Sequence, residues 1–317
     1  MDTRHLVDPE VWPIVDLLPF REFDLATLNL ARADTTARLA DMPGPPLAAT
    51  VRTALRADGS TIELYHFDPN PGAQGQAALY HVHGGGMILG TAKDMQAGPS
   101  AMAAALQIPV ISVEYRLAPE TPFPGPQQDC FDGLAWLAAN ALELGIDPAR
   151  IAIVGESAGG GLAAATVLMA RDTGGPKLAA QVLVYPMLDH RTGSGACRWN
   201  NRSTGEFLWN RAANQFGWEA LRGDYPAEDV RKGWFSPALA DDLSGLPPTL
   251  LLTGSLDLFF DEDLDYARRL VDAGVPVELH SYPGAIHAFN MMAEAAISQA
   301  FTRDMMGGIA RLLKLGA

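Results

Sequence analysis

The chain has 317 residues, 48% of them hydrophobic and 19% charged, with a formal net charge of −14. This composition supports a sizeable core and excludes disorder over most of the length. The acidic balance excludes nucleic acid as a partner, because phosphates demand a basic footprint.

In chain order, the opening "MDTRHLVDPEVW" lacks the basic start and apolar stretch of a secretory signal. Residues 1–45 read as helices punctuated by proline, ahead of any strand. In "VRTALRADGSTIELYHF", apolar residues alternate on both sides of Asp58-Gly59, predicting an antiparallel hairpin at a sheet edge. Six apolar runs follow, at 77–82, 109–115, 151–156, 180–186, 248–254 and 276–283. They alternate with helical patterns at 129–142, 159–171 and 263–273, and a last helix is expected over about 294–315. Such alternation predicts an α/β fold with a mostly parallel sheet and helices on both faces. No run reaches the roughly 20 apolar residues of a membrane span, so no membrane insertion is expected. Cys130 and Cys197 match neither a disulfide framework nor a zinc spacing, and two reduced thiols in a cytoplasmic protein are the expectation.

One stretch breaks the alternation. Residues 190–234 are too long for an ordinary connection and carry Trp199, Trp209, Trp218 and Trp234, four of the six tryptophans. This insert reads as an apolar lid lining a pocket, as small helices docked on the core, or as both.

The motif "GESAGG" (155–160) follows the apolar run "IAIV". A sharp strand-to-helix turn strains its central residue, and side chains two positions before and after would collide. Gly155 and Gly159 remove the collision, so the pattern lifts the Ser157 hydroxyl clear of the sheet. The alternative is a glycine-rich turn with an idle serine. A serine nucleophile needs a base, and the base needs an orienting acid. His287 lies in "YPGAIHAF" and Asp257 in "GSLDLFFDED", each just after a strand run, at the sheet edge where Ser157 sits. Among neighbouring acids, Asp263 reads as the cap of the helix that follows. His287 on its own would more commonly be a hydrogen-bonded loop residue.

A third loop, "HVHGGGMILG" (81–90), admits three readings. His81 and His83 could share a metal, but no third ligand follows at a suitable spacing, so no metal is expected. A dinucleotide loop would need its last glycine one residue earlier. The remaining reading is a set of bare glycine amides aimed at a substrate oxygen, as acyl transfer requires.

With "HGGGM", "GESAGG", "SLDLFFDED" and "GAIHAF" in order, and "VEYRLAPETPFP" (113–124) between the first two, the sequence resembles the bacterial hormone-sensitive-lipase-like esterases, a family of α/β-hydrolase fold. The likeness runs from about residue 51 to the end. It implies Ser157 as nucleophile, His287 as general base then acid, and Asp257 as orienting acid. It also implies Gly85, Gly86 and Ala158 as oxyanion donors, with His83, Gly84, Met87 and Trp209 expected around the substrate. The implied organisation is a cap from residues 1–45 and 190–234 over a catalytic domain of 46–189 and 235–317. The implied activity is cofactor-free hydrolysis of small-molecule esters of short to medium acyl chains, by an enzyme that in many relatives is a homodimer. An amidase or deacetylase would use the same triad; a ligand receptor on this fold would typically lack the histidine. Three features depart from the family pattern: Glu156 where Asp is common, the acid loop "DLFFD" in place of D-P-L-x-D, and Met87 where an aromatic is common, which loosens one pocket wall.

Overall fold

The computed structural model describes residues 2–17, 22–41 and 43–316. One eight-stranded sheet organises them: β1 (Thr50–Leu55), β2 (Thr61–Phe67), β3 (Gln76–Val82), β4 (Val110–Val113), β5 (Ile146–Glu156), β6 (Ala180–Val184), β7 (Thr249–Gly254) and β8 (Val277–Tyr282). The order is β1-β2-β4-β3-β5-β6-β7-β8. β1 and β2 form the expected edge hairpin, with Gly59 at φ 83 in its turn. β2 pairs antiparallel with β4, and every pair beyond is parallel. β4, β6 and β7 are buried at every residue, whereas the edge strands β1 and β8 show exposed positions. Continuous Val/Ile/Leu runs are what a sheet covered on both faces demands.

The helices are α1 (Trp12–Leu17), α2 (Leu28–Ala40), α3 (Ala97–Leu106), α4 (Gly125–Asn140), α5 (Ala158–Thr173), α6 (Arg211–Arg222), α7 (Lys232–Phe235), α8 (Phe260–Asp272) and α9 (Ala296–Leu312). Two cores result. One gathers Leu134 of α4, Leu162 and Val167 of α5 and Leu270 of α8. The other gathers Met102 of α3 with Phe301, Met305 and Ile309 of α9. Among the described residues, no helix is long and apolar enough to cross a membrane.

The start of α5 explains its glycines. A Cβ on Gly159 would lie 2.1 Å from the Val82 carbonyl oxygen, and one on Gly161 2.1 Å from that of Met187. Only bare backbone lets this helix begin between the ends of β3 and β6.

The expected helix cap at Asp263 is corrected. α8 starts three residues earlier, at Phe260, with Phe259 as its N-cap and no side-chain cap. In the turn before it, Asp257 Oδ1 accepts the Phe259 N–H at 2.9 Å. Asp263 is instead fully buried and accepts the Thr253 hydroxyl at 2.6 Å. In residues 190–234, the two readings of the tryptophans divide. Trp218 is buried 5.4 Å from the Phe235 ring, a docking contact, while Trp209 reaches the cavity described next.

Candidate active site

β3 and β5 lie side by side with Val82 opposite Gly155, so the glycine loop and the turn at Ser157 leave the sheet together. Ser157 has φ 57 and ψ −121, a strained conformation for a residue with a side chain. The backbone holds it there: its N–H donates to Val184 O at 2.9 Å, and its carbonyl accepts from Met187 at 2.9 Å and Gly161 at 3.0 Å.

Its hydroxyl lies 2.9 Å from His287 Nε2, and His287 Nδ1 lies 2.7 Å from Asp257 Oδ2. A carboxylate only accepts, so Nδ1 carries the proton and Nε2 is left to accept from the serine. Asp257 is fully buried, and His287 is wedged edge-on between Tyr185 at 4.8 Å and Phe259 at 5.3 Å. The neighbouring Asp261 lines a different cavity, with Cys197.

The glycine loop closes the other side. A Cβ on Gly84 would sit 3.5 Å from Ser157 Cβ, so loop and nucleophile turn touch. Gly85, at φ 118, and Gly86, at φ 62, adopt backbone that favours glycine. A Cβ on Gly86 would lie 2.1 Å from the Trp209 ring. Among the described residues, the amides of Gly85, Gly86 and Ala158 have no hydrogen-bond acceptor. Ala158 also opens α5, whose N-terminus carries partial positive charge.

Ser157, His287, Gly84, Gly85, Gly86 and Trp209 all line one apolar cavity of about 390 Å³. Trp209 is pinned by its indole N–H, which donates to Asn214 Oδ1 at 3.1 Å. His83 and Met87 do not line this cavity, which corrects two expectations. Met87 is 1% exposed within the core, with φ 65, because the loop turns its side chain back into the fold. His83 is buried and stacks on Tyr115 at 4.2 Å. Burial holds its imidazole down at about 4, so it is neutral. Its Nδ1 donates to Gly84 O at 2.8 Å, on the peptide that carries the Gly85 N–H. His83 therefore orients an amide of the loop rather than a substrate.

His81 and Glu156 also find places. His81 bridges Ser112 Oγ (2.8 Å from Nδ1) and Glu156 Oε2 (3.1 Å from Nε2) across β4, β3 and β5. Glu156 lines the cavity beside Ser157. Sequence reasoning missed Phe23, Ala31, Tyr185 and Asn290, which share the lining. Tyr185 was within reach of it, since it stands at the carboxyl end of β6, where ligands of parallel sheets bind.

Comparisons with known proteins agree with this geometry. A family model described as alpha/beta hydrolase fold matches residues 79–291. An arylesterase of Saccharolobus solfataricus is 40% identical over 211 residues, 67% of each chain. Carboxylesterase NlhH of Mycobacterium tuberculosis is 34% identical over 294 residues, 90% of this chain and 89% of the other. The solved structure of a bacterial heroin esterase superposes with a TM-score of 0.88 at 39% identity, covering 98% of this chain and 99% of that one.

Proposed function

Because this chain belongs to the α/β-hydrolase family of hormone-sensitive-lipase-like esterases, we propose that it is a carboxylesterase that cleaves small-molecule esters of short to medium acyl chains through an acyl-enzyme. The observation that carries this reading is the hydrogen-bonded run Ser157–His287–Asp257 at the wall of an apolar cavity. Ser157 Oγ attacks the ester carbonyl while His287 Nε2 takes its proton. Asp257 holds the Nδ1 tautomer and offsets the charge on the imidazolium. The amides of Gly85, Gly86 and Ala158 receive the oxyanion, each donor lowering the barrier by about 3–4 kcal/mol. His287 then protonates the leaving alcohol, and later takes a proton from the water that releases the acid.

The cavity, about 390 Å³, lies near the small end of ligand pockets, which favours short to medium acyl groups over long ones. Residues 1–45 and 190–234 act as a cap on the domain formed by 46–189 and 235–317. In support, Phe23 and α2 from the first stretch, and Trp209 from the second, wall the cavity. A series of p-nitrophenyl esters tests the reading: kcat/KM is expected to peak at short to medium acyl length and to fall for long chains. Absence of turnover on every ester of the series would overturn it.

A further inference from the structure

Among the cavity residues with no part in the chemistry above are Tyr185 and Asn290. Tyr185 closes β6 with φ 34, and its N–H is tied to Leu252 O at 2.6 Å. Its hydroxyl lies 2.8 Å from Asn290 Oδ1. Burial, reinforced by the negative charges of Glu156 and Asp257, pushes the phenol up, so it keeps its proton. That proton has one protein acceptor among the described residues, Asn290 Oδ1. Turned over, the Asn290 NH2 would donate to the Tyr185 oxygen and leave the phenolic proton without an acceptor among the described residues, which is costly. The amide is therefore fixed with Oδ1 toward Tyr185, and its NH2 is left without an acceptor among the described residues.

Asn290 lies three residues beyond His287, in the short turn Phe289–Met291. His287 must deliver a proton to the leaving oxygen, so the alcohol part of the substrate lies on this side of the cavity. We infer that Asn290 is a specificity residue whose NH2 donates to a second oxygen on the alcohol moiety, an ether, carbonyl or hydroxyl a few bonds from the ester, with Tyr185 as the positioning residue that sets the amide. The inference rests on the ester-hydrolase reading and names its substrate class.

A matched pair isolates the contact: 2-methoxyethyl butyrate and n-butyl butyrate differ by one oxygen in place of a methylene. The readout is the ratio of their kcat/KM values, compared between wild type and variants so that intrinsic leaving-group differences cancel. Asn290→Leu and the near-isosteric Asn290→Asp are each expected to lower that ratio about 3- to 10-fold, mainly through KM for the methoxyethyl ester. Tyr185→Phe should lower it less, and should add nothing in the Asn290→Leu background. An unchanged ratio in both Asn290 variants, even with both rates reduced together, overturns the inference while leaving the hydrolase reading intact. Failure of the wild-type protein to cleave either ester overturns the inference, and the hydrolase reading falls with it only if every p-nitrophenyl ester of the series is left intact as well.

Discussion

Ser157 is held at φ 57 by three backbone hydrogen bonds that do not involve its side chain. Ser157→Ala should therefore fold as the wild type does while kcat falls by about 10³-fold or more, measured on a short p-nitrophenyl ester. Asp257 and its neighbour Asp261 separate as cleanly. Asp257→Asn removes the acceptor that fixes the His287 tautomer, and kcat should drop by about 10⁴-fold. Asp261→Asn, in a different cavity, should leave it near wild type; a reversal of these two results would reassign the acid. At this scale the sequence was most informative where chemistry dictates residue type. A nucleophile, a base and an acid at strand ends are legible because few other residues serve. Met87 and His83 misled because a residue inside a functional motif faces the core or the cavity according to local backbone, and φ 65 at Met87 cannot be read from letters. Asn290 was illegible for the same kind of reason: its meaning depends on a hydroxyl 105 positions away.

Among elements, the joints between strands and helices decide where the site forms. "VEYRLAPETPFP", noticed in the sequence only as a family likeness, owes part of its structural sense to Asp129 in α4. That carboxylate is fully buried and takes Arg116 Nε at 2.8 Å and Arg56 Nε at 2.6 Å, linking the end of β4 and the hairpin to one helix. Burial alone would raise its carboxyl, but the two guanidiniums outweigh burial and hold it below the usual range. Removing one side of such a buried pair leaves charge uncompensated, so Asp129→Asn should cost about 3–5 kcal/mol in urea unfolding. Gly159→Ala is expected to be comparably harmful, about 3 kcal/mol, since its Cβ would meet the fixed backbone of Val82 rather than a yielding side chain. Strand and helix positions were read well from apolar runs. The start of α8 was not, because its N-cap is Phe259, which offers no side-chain cap for the sequence to show.

Across the whole molecule, buried titratable groups pull stability in opposite directions with pH. His190 packs among Trp218 and Phe235, and burial, helped by Arg222, lowers it from 6.5 to about 4. A histidine with a depressed folded pKa imposes no penalty above about 6.5, and its penalty grows as pH falls from there towards 4. Glu114, raised by burial to about 7, works the other way, since its folded form prefers the proton. The net slope is thus a poor test, and a difference is a good one. The Tm of His190→Phe relative to wild type should rise steadily as pH falls from 6.5 to 4; a constant offset would contradict the assignment. The parallel sheet and its order of motifs were legible at this scale because burial on both faces forces continuous apolar runs. The arrangement of residues 190–234 was not, because tryptophans signal burial without saying against what. The central claim, an activated Ser157, is tested most directly by a fluorophosphonate reagent followed by peptide mapping. One equivalent of label on Ser157, with esterase turnover lost in proportion, is the expected result; turnover that persists with Ser157 unlabelled would contradict it.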